Sequence, residues 1–343
     1  MSTEQQMKTS QQVRESYRKL PFQAFWTWLT GKELVGRKPM WRSTSIEALT
    51  WSLIWLFGGF FGSIYILQND VNPLLLIATT IFSVSGARYV VATIIHQGVH
   101  NSLFISPKLN KVACEILSTI LIVQPFDSYK QFHIDEHHED AFSTVEDKDL
   151  AALYKLGFKP NESVKGMKIN LFLTCISPKF HILYLWGRIK SNFVGLPTYR
   201  LVMSVLWLCS LSSIAVNLGA STFALAIVIP MTIIYQICSI LHLLTEHVWI
   251  IRKDGMSIEQ SHISHCLGRF SGQPTPANSG SILKQSFNWI VWFTAHAIYH
   301  LPVRMLVLQG TLTVHDWHHR FGGHPDWANT IHHREKHVQK LMT

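Results

Sequence analysis

Residues 46–67 read IEALTWSLIWLFGGFFGSIYIL, an apolar run with one charge, Glu47, near its start. At about 1.5 Å per residue, a helix of this length crosses the ~30 Å hydrocarbon core of a bilayer. The turn Asn69-Asp70-Val71-Asn72-Pro73 follows, and a second run over about 73–95 carries only Arg88 near its far end. A third run, about 201–216, is joined by the uncharged turn Asn217-Leu218-Gly219-Ala220 to a fourth, about 222–244, with Pro230 inside it. Proline is tolerated in a spanning helix when neighbours satisfy the freed carbonyl. The expected fold is an all-α membrane protein, with about four transmembrane helices in two hairpins and a helical cytoplasmic cap.

Composition agrees. Of 343 residues, 48% are hydrophobic and 15% charged, and the mean hydropathy is positive. Those values belong to the membrane class. Val112 to Val123 is too short to span and reads as an interfacial or re-entrant helix. Residues 145–200, 250–285 and 320–343 are polar and are assigned to the cap, with a loop at Gly272-Gln273-Pro274-Thr275-Pro276. No internal repeat or low-complexity tract is seen. The expected divisions are an N-terminal cytoplasmic segment (1–45), a membrane domain (46–330) and a polar C-terminal tail (331–343).

The net charge of +9 does not point to nucleic acid, because the basic residues form no single stripe and no nucleic-acid motif is present. Lys8, Arg14, Arg18, Lys19, Lys32, Arg37, Lys38 and Arg42 precede the first apolar run, whereas the short turn after it has no Lys or Arg. Positive charge collects on the cytoplasmic side, so that side is assigned to the N-terminus, and no signal peptide is visible in residues 1–40. Two hairpins then return both ends to the cytoplasmic face. Cys114, Cys175, Cys209, Cys238 and Cys266 are scattered and form no C-x-x-C pair; they read as small apolar residues. The chain therefore carries no sulfur-ligated redox module.

Histidine carries the functional signal. Three tight clusters lie beside the apolar runs, on the same expected side: His96-Gln97-Gly98-Val99-His100, His133-Ile134-Asp135-Glu136-His137-His138 and His315-Asp316-Trp317-His318-His319. Neutral imidazole is a strong ligand for iron, zinc and copper. On a helix His96 and His100 are about 40° apart, and His315, His318 and His319 fall within an arc of about 100°. His138 lies about 140° from His133 on an ideal helix, so a helix end or local distortion is implied there. His247, at the end of the fourth run, brings the imidazoles to nine, enough for two irons with open positions for dioxygen. One tetrahedral zinc would use far fewer.

Ligating histidines usually donate their other N–H to a carboxylate or carbonyl. Asp135, Glu246 and Asp316 are assigned that supporting role, with Glu136, Asp140, Asp147, Asp149 and Asp326 as further candidates. His242 and the pair His296 and His300 also have helical spacing; the last two lie in an aromatic stretch and read as core or supporting groups. His332, His333 and His337 lie among charges and read as solvated, and His181, His262, His265 and His324 have no partner at useful spacing.

The set H-x3-H, H-x3-H-H, E-H and H-x2-H-H resembles the membrane fatty-acid desaturase and hydroxylase superfamily, across roughly residues 45 to 330. By that resemblance His96, His100, His133, His137, His138, His247, His315, His318 and His319 hold two non-haem irons, with dioxygen as co-substrate. Gln97 departs from the acidic residue that many desaturases place after the first histidine. The H-x3-H-H spacing of the second cluster is shared with alkane hydroxylases, which have more spans than four. The resemblance implies removal of hydrogen from an unactivated C–H of a fatty acyl or related lipid chain, with desaturation as the leading reaction. Hydroxylation, ketolation and oxidative decarboxylation to a terminal alkene are the alternatives, and a histidine-rich metal transporter stands outside the class. The electron donor, of ferredoxin or cytochrome b5 type, would be a separate protein.

Overall fold

The computed structural model describes residues 3–37, 39, 41–277 and 279–342, with side chains between 9 and 338. Lys38 and the side chain of Lys8, both in the basic N-terminal set, lie outside the described residues. Among the described residues the chain is helical and has no strand; one isolated bridge pairs His247 with Cys266. Four helices are long and apolar enough to cross a membrane: Ser45–Gln68, Leu75–Val99, Thr198–Leu218 and Ala220–Glu246. They are the first to fourth spans below, and each overlaps the run expected for it.

The first span begins with a capping box. Thr44 accepts from Glu47 N and donates its own N–H to the Glu47 carboxylate, satisfying helix-end donors that would otherwise be orphaned. It then packs on the second span through small residues. A Cβ on Gly59 would lie 2.3 Å from Ser83 N, and one on Gly86 would lie 2.2 Å from Leu56 N. Ser63 donates to Thr79 across the same seam at 2.8 Å. Backbones approach this closely only where side chains are absent, which is how helices associate in a medium as apolar as they are.

Two spans are locally widened. The second passes through a π-helical segment, Val90–Ile95, immediately before His96. The fourth has π segments Ala224–Val228 and Pro230–Ile234 around its proline. A proline removes the backbone bond to the carbonyl one turn before it and kinks the helix. Arg188, on the helix Pro178–Phe193, donates to Met231 O at 2.7 Å and to Leu121 O and Ile122 O. The third span is bound at its start, where Arg200 donates to Glu115 and Ser118 at 2.8 Å each.

The short apolar segment near Val112 is a helix, Pro107–Ile120, outside the four spans. Residues 164–193 depart from the polar expectation: helices Val164–Ile176 and Pro178–Phe193 expose Phe172, Ile176, Ile182 and Trp186. Averaging over Lys165, Lys168 and Lys179 hides these faces. A further long apolar helix, Ile282–Leu306, was not expected; it is bent by 101° from Gly310–Arg320 and counts with it as a possible fifth span. Arg304 holds the bend, donating to Trp28 O at 2.7 Å, to Leu308 O, and to Gly310 O at 3.1 Å. Gly310, at φ +47°, sits against Thr93, leaving no room for a Cβ.

The C-terminal segment is not a solvated tail. Helix Thr330–Met342 packs on residues 32–33: His332 is buried with Nδ1 2.7 Å from Glu33 Oε2, and Lys32 pairs with Glu335 at 3.0 Å. His333 meets Asp326 at 2.7 Å, and the His337 ring lies 5.3 Å from that of Trp317. Partners some 300 positions away are invisible to a local reading, which sees only the neighbouring charges. All five cysteines are free; Cys209 is exposed on the third span, whereas Cys114, Cys238 and Cys266 are buried.

Candidate metal centre

The widened helices decide where the imidazoles point. Residues 131–137 form a π segment, and its wider turn brings His138 beside His133, with Nε2 atoms 3.1 Å apart. That is the distortion the spacing required. The π segment ahead of His96 likewise ends where the first cluster begins.

Ring nitrogens from three distant segments meet in one group: His96, His100, His133 and His318. His96 Nε2 and His318 Nε2 are 2.6 Å apart, and His100 Nε2 is buried with no hydrogen-bond partner. A second group contains His137, His247 and His319, and a third, sharing His247, contains Glu246 and His315. The contacts run His137–His247 at 3.0 Å, His247–His315 at 3.2 Å and His315–His319 at 3.1 Å, all between Nε2 atoms. His138 lies between the groups, its ring stacked on His319 at 4.2 Å and its Nε2 against His133. All nine expected imidazoles therefore converge.

The donor set fits metal ions. Two nitrogens on one ion at about 2.0–2.1 Å are ~2.8–3.4 Å apart for angles between 90° and tetrahedral; the contacts at 3.0–3.2 Å fall within that span and His96–His318, at 2.6 Å, falls short of it. Each Nε2 carries one in-plane proton or lone pair, yet His247 Nε2 and His315 Nε2 each face two partners. Hydrogen bonding alone cannot satisfy that pattern, whereas a cation accepts every lone pair at once. Burial, followed by neighbouring imidazoles, holds His133, His138 and His247 well below the usual imidazole range, the neutral state that ligation requires.

Other groups hold the rings from behind. Asp147 Oδ2 is 3.6 Å from His137 Nδ1, with both side chains buried. Burial alone would raise the Asp147 carboxyl, but His137 and the backbone N–H groups of Ser143 and Leu150 keep it below its ordinary value. Asp149, in the same cluster, is pushed up to about 6 by burial. Tyr129 Oη is 3.3 Å from His96 Nδ1, and Cys266 Sγ is 3.4 Å from His247 Nδ1.

The carboxylates expected in that supporting role are placed differently. Asp135 is exposed, because the helix face that turns His133 and His137 inward turns it outward. Asp316 is taken by Arg334, with Nε at 2.8 and 2.9 Å from its two oxygens. Glu246 stands among the donors themselves: Oε1 is 3.3 Å from His315 Nε2, the nitrogen that faces His247 and His319. His242 lies behind it, with Nε2 3.7 Å from Oε2 and Nδ1 at 3.1 Å from Val307 O.

His296 and His300 stay outside the centre. The first bonds Tyr17 Oη and Trp292 O, the second Ser271 Oγ. His262, set aside in the sequence, is drawn in: its ring is 4.8 Å from His319 and 5.0 Å from Phe142, and its Nε2 is buried without a partner. Its helical neighbour Cys266, at i+4, was the available signal, but nothing local ties either residue to the boxes.

A frame of membrane-length helices thus carries a histidine cluster that could hold metal. The fatty acid desaturase family model matches residues 71–302, more than half of the chain, and the chain belongs to that family. The match takes in the first two clusters and His247 but ends before His315, a narrower extent than residues 45 to 330. No curated protein and no solved structure matches.

Proposed function

We propose that this chain is a dioxygen-dependent di-iron oxidase of an unactivated C–H in a fatty acyl or related lipid chain, and that it acts as a desaturase. The observation that carries the proposal is the convergence of nine imidazoles, seven of them buried, with eight in adjoining donor groups and His138 packed between them. His96, His100, His133 and His318 would hold one iron. His137, His247, His315 and His319, with Glu246, would hold the other, and His138 lies between them. Bound there, the pair of irons supplies the reduction of dioxygen and the oxidising power to take hydrogen from a methylene.

The chain's own residues supply position and exclusion. Tyr129 and Cys266 contact two of the rings at their second nitrogens, and Asp147 places its carboxylate 3.6 Å from the second nitrogen of a third, His137. Phe142, buried against His137, His247 and His319, keeps water from that side. The four spans form two hairpins, which puts the clusters and both ends on the cytoplasmic side, as the basic N-terminal flank indicates. The boundaries near residues 45 and 330 follow, although the segment beyond 330 is docked. A separate ferredoxin or cytochrome b5 type protein delivers electrons.

Two measurements test this reading. Purified protein should contain about two irons per chain; tightly bound zinc without iron overturns it in favour of a zinc protein or a metal transporter. Mass spectrometry of lipids from cells expressing the chain should show loss of two hydrogens. Gain of oxygen or loss of carbon dioxide assigns instead the hydroxylase, ketolase or decarboxylase reaction. His318→Ala should remove product and iron while leaving membrane insertion intact.

A further inference from the structure

The six-residue helix His315–Arg320 has two working faces. At about 100° per residue, His315, His318 and His319 share one side, and Asp316, Trp317 and Arg320 share the opposite side. The imidazoles enter the metal centre. The other three residues line a half-open recess of about 720 Å³, closed on its other sides by residues of the N-terminal helix, the 263–272 segment and the helix Thr330–Met342. The recess and the candidate metals are therefore separated by one helix, whose diameter with side chains is ~10–12 Å. Cys266 lines the same recess and reaches His247 Nδ1 at 3.4 Å.

The charge of this recess is one-sided. It is lined by Lys32, Arg269, Arg320 and Arg334, and Asp316 is its one lining acid. Lys32 is matched by Glu335 and Arg334 by Asp316. Among the described residues no ion pair is found for Arg269 or Arg320; Arg269 is half-buried and donates to Thr245 O and Leu267 O, whereas Arg320 is exposed at the rim. Trp317 Nε1, within the wall, is buried without an acceptor. These features converge on one place: unmatched positive charge, an aromatic wall, and a wall helix that also carries three of the donor histidines.

We propose that this recess is the docking face for an acidic electron-transfer protein, whose carboxylates meet the exposed Arg320 at its rim, in the field of Arg269. The assignment rests on the oxidase reading, since it gives that partner a place to deliver reducing equivalents: the donor is oxidised and the metal pair reduced, one electron per docking event. Charge complementarity selects this occupant. Opposite charges steer encounter and set its salt dependence, whereas a neutral or basic partner would meet repulsion at the rim.

The test is binding to the purified full chain, measured with two acidic probes, a plant-type [2Fe–2S] ferredoxin and the soluble domain of cytochrome b5. At least one should bind, with affinity falling steeply between 50 and 300 mM salt, because the Debye length shrinks to well under ~10 Å over that range. Arg320→Glu should weaken it by ~10-fold through like-charge contact, and Arg320→Lys should restore most of the loss. Iron content should be unchanged in both variants. Binding by neither probe, binding insensitive to salt, or wild-type affinity in the Arg320→Glu variant each overturns the proposal. Iron content separates the two failures: a chain with two irons and no salt-sensitive docking loses this inference alone, whereas a chain without iron loses the oxidase reading whatever binds.

Discussion

Asp147 does two jobs with two oxygens, and a pair of substitutions separates them. Its Oδ1 caps the helix Lys148–Lys155, accepting from Asp149 N at 3.0 Å and Leu150 N at 3.4 Å. Its Oδ2 accepts from Ser143 N at 3.1 Å and faces His137 Nδ1 at 3.6 Å. Asparagine caps as well as aspartate does, so Asp147→Asn keeps the first job. It places a neutral donor opposite Ser143 N–H and His137 instead of an anion. Loss of a carboxylate behind a ligating histidine weakens metal binding ~10–100-fold, or about 1.4–2.7 kcal/mol. Asp147→Ala should lose that and about 1 kcal/mol of capping as well. The assay is iron retention against rising chelator, read as ions per chain, with thermal melting of the metal-free protein alongside. Since His137 shares a donor group with His247 and His319 but none with His96, His100, His133 and His318, on the proposed di-iron reading one ion of the two should leave early in both variants, while only Asp147→Ala melts markedly lower. The exposed Asp135→Asn is the control. If Asp147→Asn holds both ions to within twofold of the wild-type chelator midpoint, the assignment of Asp147 as the support of His137 is wrong.

Three further outcomes follow from other parts of the molecule. Glu246→Ala should lower the metal count from about two per chain toward one, measured by elemental analysis, because its carboxylate stands 3.3 Å from His315 Nε2 within the donor group. Gly86→Ala should destabilise the detergent-solubilised protein by about 1–3 kcal/mol, read as a lowered melting midpoint, because the new Cβ meets backbone 2.2 Å away. Gly58→Ala, where the same Cβ meets nothing within 4 Å, should leave that midpoint unchanged. The metal-free protein should lose stability as pH falls from about 6.5 toward 4. Burial lowers His100 and His262 to about 4 and holds His133, His138 and His247 well below their ordinary range. These five outnumber Asp149, raised to about 6 and opposite in sign, so over that interval the unfolded chain binds more protons than the folded one. Melting curves across this range check the sign; a midpoint that rises on acidification contradicts the burial of neutral imidazoles.

The four spans were legible because length and apolarity are local properties, and each observed helix overlaps its expected run. The three histidine clusters were legible for a similar reason: helical spacing alone puts His96 with His100, and His315 with His319, on one face. His138 was legible only as a misfit, because whether a helix widens to a π turn depends on what its neighbours demand. The supporting carboxylates were misassigned at Asp135 and Asp316, where adjacency in sequence was taken for adjacency in space. Asp147 reaches His137 only because the chain turns back at Ser143, and Asp316 is claimed by an arginine eighteen residues on. Glu246, expected behind the ligands, lies in a donor group with His247 and His315. His262 and His332 were set aside because their partners lie on other segments, and no local pattern announces a long-range contact.

The 222 positions between His96 and His318 have a consequence for how the molecule matures. Loop closure over such a separation is entropically unfavourable and is repaid only once the intervening helices are in place. The first donor group draws on three segments, around residues 96–100, 133 and 318, so no fragment lacking any of them presents a complete set of nitrogens. On the proposed di-iron reading, iron would then be captured by a nearly finished protein rather than by a nascent one. Cells starved of the metal should accumulate inserted chains whose histidine-bearing segments exchange amide hydrogens quickly, and adding ferrous iron should slow that exchange without new synthesis.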